Sequence, residues 1–186
     1  MTVGAEFQSV LAAAQTGAEW AFAVLYRDLN PRLSRYFWAQ APSVAEDLAS
    51  ETWLAAARRL PSFRGDEEAF RGWLFTIGRR RLIQHWRDSQ RHPSRPADPA
   101  TLSDGIAPDD TEAAALDAAG AREAAQAIAA ALSRDQADVI LLRVLAGLSV
   151  DEVARILGKR PGAVRVLQHK ALRRLAGKFS LAEVTQ

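Results

Sequence analysis

The sequence predicts an all-α protein of two small helical domains, a bundle and a helix-turn-helix unit, joined by a flexible linker. Three observations carry this. Apolar residues recur at helical spacing through residues 18–91 and 120–178, and no stretch alternates apolar and polar residues as a half-buried strand does. Residues 92–119 between them are rich in proline and acid and poor in large apolar side chains, too little apolar surface to fold alone. Near the C-terminus, capping boxes and glycines mark out a short helix, a tight turn and a longer basic helix.

Residues 1–17 mix small and polar side chains with Gly4 and Gly17, and read as a loose tail with a short helix over 7–14. A firm helix begins near Ala18. Trp20, Phe22, Leu25, Tyr26, Leu29 and Leu33 recur on its core side, Tyr36, Phe37 and Trp38 come next, and Pro31 marks a kink or a join. Pro42 and Ser43 open the next helix, with Glu46 completing a capping box. Leu48, Trp53, Leu54 and Ala57 supply its packing, while Glu46, Asp47 and Glu51 crowd its first half. Paired carboxylates serve acid–base chemistry when they line a cleft. Nothing nearby offers a cleft, a nucleophile or a metal-ligand set, so this helix reads as a contact for a basic protein partner.

Pro61 and Gly65 break the chain over 61–69, and Asp66 caps a helix running from about 69 to 90. Phe70, Trp73, Leu74, Ile77, Leu82 and Trp86 give it apolar contacts. Gly72 and Gly78 allow close approach at a slight cost in helix stability. Arg71, Arg79, Arg80, Arg81, Arg87 and Arg91 are opposed by a single acid, Asp88. Arginine interleaved with tryptophan and phenylalanine suits single-stranded or partly opened DNA, where guanidinium groups hold phosphates and rings stack on bases. Trp73 and Trp86 are each expected to be structural rather than stacking residues.

Beyond the linker, AREAAQAIAAAL is a strong helix former, with Ile128 and Leu132 placed to pack against the helix-turn-helix. Ser133 with Gln136 and Ser149 with Glu152 form capping boxes, and Gly147 stops the helix between them. Leu148, Val153 and Leu157 give the second helix an apolar side, Gly158 closes it, and Pro161 sits in the first turn of the third. At about 100° per residue, Val164, Leu167, Ala171 and Leu175 share a buried arc. Arg165, His169 and Arg173 lie along another side, Lys170 and Arg174 further round, and Val166 falls among the basic residues. Such a face suits a major groove, where arginine reads guanine and an apolar group meets a thymine methyl.

Composition narrows the chemistry. The formal net charge of the 186 residues is only +2, but basic and acidic residues are segregated along the chain. There is no cysteine, which excludes disulfides and thiolate metal sites, and His85, His92 and His169 are too scattered for a metal centre. The N-terminus lacks the pattern of a signal peptide and no run is long enough for a membrane helix, so a cytoplasmic protein without an integral membrane segment is expected. No catalytic residue, metal or cofactor is implied.

The chain resembles a bacterial sigma factor of the small, two-domain extracytoplasmic-function (group IV) type. VAEDLASETW at 44–53 is close to the DAEDLxQETF signature of sigma region 2. FRG at 63–65 and WLFTIGRRRLIQHWR at 73–87 match that region's aromatic-glycine loop and WL helix. LGKRPGAVR at 157–165 fits the LGxxxGxVR pattern of region 4. The likeness covers roughly residues 18–91 and 120–178. Val44, Ser50, Trp53 and Ala163 stand where the family more often has an acid, glutamine, phenylalanine and threonine, and Leu167–Gln168 reverses a common basic-then-apolar order.

The resemblance implies binding to core RNA polymerase and promoter DNA, promoter recognition with DNA opening, and no covalent chemistry by the chain itself. Its polymerase surface would hold Glu46, Asp47, Leu48, Glu51 and Trp53. Its −10 surface would hold Phe63, Arg64, Arg71, Trp73, Arg79, Arg80, Arg81, Trp86 and Arg87. Its −35 surface would hold Lys159, Arg160, Arg165, Val166, His169, Lys170, Arg173 and Arg174. With no counterpart of region 1.1, it also implies control by a separate anti-sigma factor. The helix-turn-helix alone equally fits a stand-alone transcription regulator with an N-terminal interaction domain, which leaves the acidic helix and the arginine-aromatic helix unexplained.

Overall fold

The computed structural model of the chain describes residues 3–91 and 112–183, and every regular element among them is helical. The order is α1 (Phe7–Gln15), α2 (Glu19–Gln40), α3 (Ala45–Arg59), α4 (Glu67–Arg91), α5 (Glu112–Ala131), α6 (Arg134–Val144), α7 (Val150–Leu157) and α8 (Pro161–Glu183), with short 3-10 turns before α1, α3 and α4. The run at 92–111, read as the core of the linker, lies outside the described residues. α5 begins at Glu112, so the last part of the segment read as linker is helical.

Helices α1 to α4 form the N-terminal bundle. Leu25, Leu33, Tyr36, Phe37, Phe70, Leu74, Phe75 and Leu82 are almost wholly buried there. Pro31 lies inside α2, which continues through it. The first residues are not a tail. Phe7, Val10, Leu11 and Ala14 are buried, and Phe7 packs on Phe70 with ring centroids 5.8 Å apart. The spacing of these four residues is helical, and the apolar face they share is what draws α1 into the bundle. Gly78 lets α2 approach α4 closely: a Cβ there would stand 3.0 Å from Phe37 and 3.1 Å from Leu33.

One N-terminal cap differs in kind from the one expected. α3 is entered through a 3-10 turn over Pro42–Val44, and neither Ser43 nor any other side chain caps it. Asp66 does cap α4, its Oδ1 accepting from the Ala69 N–H at 2.8 Å. Both capping boxes of the C-terminal unit form, at Ser133 with Gln136 and Ser149 with Glu152. Gly158 ends α7 at φ 63°, and Gly147 takes φ 65° between α6 and α7, backbone conformations that glycine adopts without steric cost. The Arg143 guanidinium donates to the Leu148 carbonyl and braces that turn.

The two helical units pack against each other. α5 lies along α2 and also touches α6 and α8, while α7 meets α4. α5 was expected to pack on the helix-turn-helix; its main neighbour is instead α2, where Ala125 is buried and Gln126 Nε2 donates to the Trp38 carbonyl at 3.3 Å. Arg122 lies over the Trp38 ring at 5.4 Å and Arg134 over the Trp86 ring at 4.7 Å.

Candidate polymerase and promoter interfaces

The inner arc of α3 carries Leu48, Thr52, Trp53 and Ala56, and its outer arc carries Glu46, Asp47, Glu51 and Leu54. Leu48 is 5% exposed and Trp53 4%, so these two shape the predicted partner surface from beneath and present none of it. Trp53 packs on Phe22 and Tyr26, with centroids 5.6 and 5.1 Å apart, and its Nε1 donates to Asn30 Oδ1 at 3.1 Å. Leu54, expected in the packing, is 58% exposed beside the acids. The outer arc is thus a continuous acidic strip with one large apolar side chain.

The loop before α4 is held from below. Gln15 Nε2 donates to the carbonyls of Leu60 at 3.0 Å and Phe63 at 2.7 Å, and Gln8 Nε2 donates to Gly65 at 3.1 Å. Sequence reasoning missed this support because the short helix over 7–14 was read as part of a loose tail and given no neighbour. Phe63 is buried against Phe70 and Trp73 at 5.4 and 4.9 Å, so it anchors the loop. Arg64 is exposed and turns back onto the Pro61 and Phe63 carbonyls. Trp73 is half-buried in the same aromatic cluster, and Trp86 lies half-buried under Arg134. Both pack against neighbouring side chains in this structure.

The arginines of α4 do not form one group. Successive residues on a helix point about 100° apart, and Arg79, Arg80 and Arg81 meet three different surroundings. Arg81 reaches Glu51 on α3 at 3.3 Å, an exposed pair that joins the acidic strip to the basic helix. Arg80 and Arg87 are exposed. Arg71 pairs with Glu67 at 3.1 Å, near Gly147 of the C-terminal unit. Arg79 turns to the C-terminal unit, where its Nε donates to Asp138 Oδ2 at 2.9 Å.

On α8 the predicted division holds. Val164 and Ala171 are fully buried, Leu175 nearly so, and Leu167 is half-buried. Arg165, His169, Lys170, Arg173 and Arg174 are exposed or half-exposed, and Val166 is 53% exposed among them. Leu172, not singled out in the sequence, is 51% exposed on the same face. At the helix entrance Arg160 is exposed and Lys159 pairs with Asp135 at 2.8 Å.

Asp138 and Tyr36 are the polar residues that sequence reasoning passed over. The available signal was a carboxylate inside the apolar run ADVILL at 137–142. Tyr36 Oη donates to Asp138 Oδ1 at 2.8 Å. Burial first, then the Asp138 carboxylate beside it, push the Tyr36 hydroxyl well above its usual range, so it remains a donor. Among the described residues no cluster of His, Cys, Asp or Glu has the makings of a metal site, and no helix is long and apolar enough to cross a membrane.

A bundle with a capped basic loop-and-helix, succeeded by a helix-turn-helix with an open basic face, defines a two-part nucleic-acid-binding protein. Comparison with known proteins names the family. Residues 25–92 match the Sigma-70 region 2 model and residues 122–175 the Sigma-70 region 4 model. The chain is 32% identical over 176 residues to the ECF RNA polymerase sigma factor BldN of Streptomyces coelicolor, covering 92% of this chain and 65% of BldN. It is 30% identical over 187 residues to the ECF sigma factor SigD of Mycobacterium tuberculosis, covering 96% of this chain and 86% of SigD. Its fold is similar to CnrH in complex with the cytosolic domain of CnrY, with TM-score 0.62 at 22% identity over 94% of this chain and 97% of the other. It is also similar to RpoE in complex with the anti-sigma factor NepR from Bartonella quintana, with TM-score 0.56 at 22% identity over 94% of each chain. The chain belongs to the extracytoplasmic-function sigma factors, proteins that bind core RNA polymerase and direct promoter recognition and that are not themselves enzymes. The region 2 match accounts for the N-terminal bundle that a stand-alone regulator left unexplained.

Proposed function

We propose that this sigma factor divides its work among three surfaces. The acidic strip of α3, with Glu46, Asp47 and Glu51 exposed, contacts a basic surface of core polymerase. Asp47 and Glu51 lie one helical turn apart, so both carboxylates can meet one partner. The loop at 61–68 and the arginines of α4 handle the −10 element, whose bases are read more easily once unpaired. The outer face of α8 reads the −35 element, with Arg165 on a base edge and Lys170 and Arg174 on phosphates. An anti-sigma factor holds the protein inactive until it is released.

The observation that carries this reading is the outer face of α8: five basic side chains and two apolar ones stand open to solvent while the apolar arc beneath them is buried. The −10 assignment is tested by permanganate footprinting of promoter thymines in holoenzyme. The Arg79→Ala, Arg80→Ala, Arg81→Ala triple variant is expected to bind core polymerase nearly as wild type and to lose most strand opening. Normal opening in that variant refutes the −10 role of these three arginines.

A further inference from the structure

Asp138 lies on the inner side of α6 and is 2% exposed, yet both of its oxygens are bound by the other unit, one by the Tyr36 hydroxyl of α2 and one by Arg79 Nε of α4. A carboxylate taken out of water must have its charge and lone pairs met, and here they are met from across the seam. To Arg79 it offers what a DNA phosphate offers a guanidinium, an anionic oxygen at charge-assisted hydrogen-bond distance. We propose that Asp138 is a built-in mimic of a DNA phosphate, latching the C-terminal unit over α4 and masking Arg79 until the two units separate.

The inference rests on the promoter-reading function proposed above, and geometry then requires the separation. The centres of the −10 and −35 elements lie about 25 base pairs apart, on the order of 85 Å at 3.4 Å per pair. A 186-residue chain folded as one body has a radius of gyration of about 16 Å and is roughly 40 Å across. The closed form therefore cannot touch both elements. Roughly 20 residues lie between Arg91 and Glu112, a covalent reach of up to about 70 Å.

Two clefts also open along the seam. A cleft of about 390 Å³ runs between Ala39, Trp86, Gln126 and Arg134, and a second of about 280 Å³ lies between Trp73 and Thr76 of α4 and Glu152 and Ile156 of α7. Protein interiors are close-packed, and contacts interrupted by such clefts belong to surfaces that can part. Gly72 admits α7 at the closest point: a Cβ there would meet Glu152 Oε1 at 3.2 Å and Leu148 at 3.8 Å, both in the C-terminal unit. A larger side chain at Gly72 thus wedges the seam without altering Asp138 or any charge.

The test uses the full chain. It has no cysteine, so spin labels at Ser50→Cys and Ala176→Cys report the distance between the units by pulsed electron resonance. Wild type is expected to give one short distance, and both Asp138→Asn and Gly72→Leu a broad, longer distribution. Affinity for a fluorescein-labelled, mixed-sequence single-stranded DNA 20-mer should rise at least about fivefold in both variants at low salt. The charge-neutral Gly72→Leu separates unmasking from the mere loss of a negative charge. If Asp138→Asn lowers helicity, Gly72→Leu decides alone. A long distance in wild type, or a short one in folded variants, overturns the latch. Opening without a gain in DNA affinity overturns the masking role. Failure of wild type to bind core polymerase would instead count against the sigma reading, which the distance measurement does not depend on.

Discussion

Helices α4 and α8 carry the same chemistry and stand in opposite situations. Both are long, amphipathic and basic. α8 buries its apolar arc within its own unit and leaves its basic residues open to solvent. α4 buries its apolar residues on both sides, within its bundle and toward the C-terminal unit, and its arginines are divided between Glu67, Asp138, Glu51 and solvent. The lesson is that basic composition gives a helix affinity for nucleic acid, whereas its availability depends on what the rest of the chain packs against it.

The strongest way to break this contrast is Arg79→Ala. It leaves the Asp138 carboxylate buried with Tyr36 as its remaining partner, and removing one member of a buried pair costs about 3–5 kcal/mol. Hydrogen exchange should show protection falling along α6 while the α1–α3 packing keeps its own. Unchanged protection in α6 would mean that the seam does not depend on the pair. The next largest effect is expected on a surface that the C-terminal unit leaves open. Asp47→Lys should weaken core-polymerase binding by about 2–5 kcal/mol, the range for charges desolvated at an interface, with unchanged circular dichroism. Equal affinity of both proteins for core polymerase would remove α3 from that interface.

On α8 the comparison can be sharpened residue by residue. Arg165→Ala should flatten sequence preference at one or two −35 positions, each worth about 1–3 kcal/mol, in a holoenzyme binding series on singly substituted promoters. Lys170→Ala should instead lower all affinities together and reduce their salt dependence. A wild-type preference profile in Arg165→Ala would reassign that residue to a phosphate.

The smallest expected effect is of pH on the seam. Glu68 is exposed, and Glu152 of α7, by a hydrogen bond and by its charge, raises the Glu68 carboxyl above its ordinary range; slight burial and Asp66 add to this and Arg71 opposes it. A raised carboxyl pKa means that the closed form binds the proton more readily than the open form does. Closing is therefore favoured as pH falls through the carboxylate range, and that contribution is lost as pH rises from the ordinary carboxyl value through the raised one. The Ser50–Ala176 label distance, tracked across that range, should shorten slightly on acidification in wild type and shift less in Glu68→Gln. An equal response in the two proteins would exclude Glu68 as its source.

Local signals in the sequence determined most of the helices and many of their ends. Ser133, Gln136, Ser149, Glu152, Gly147 and Gly158 set the ends of α6 and α7 because capping groups act within a few residues of themselves. The split of α8 into a buried arc at Val164 and Ala171 and an open basic face came from its period alone. Periodicity was less decisive where burial comes from distant chain. Spacing read Leu48 and Trp53 as packing, as the structure has them, although the family likeness set both on the partner surface; Leu54 was read as packing and proved exposed, and the short helix over 7–14 was read as part of a loose tail although it is packed into the bundle. Gly72 and Gly78 both signalled close approach, but only the fold revealed that Gly78 admits α2 and Gly72 the other unit. The Tyr36–Asp138–Arg79 contact had no local signal beyond one acid in an apolar run, since its partners lie 102 and 59 residues away. Local conformation is set by neighbours in sequence; which charges meet, and which arginines stay free, is set by surfaces that come together only when the chain folds.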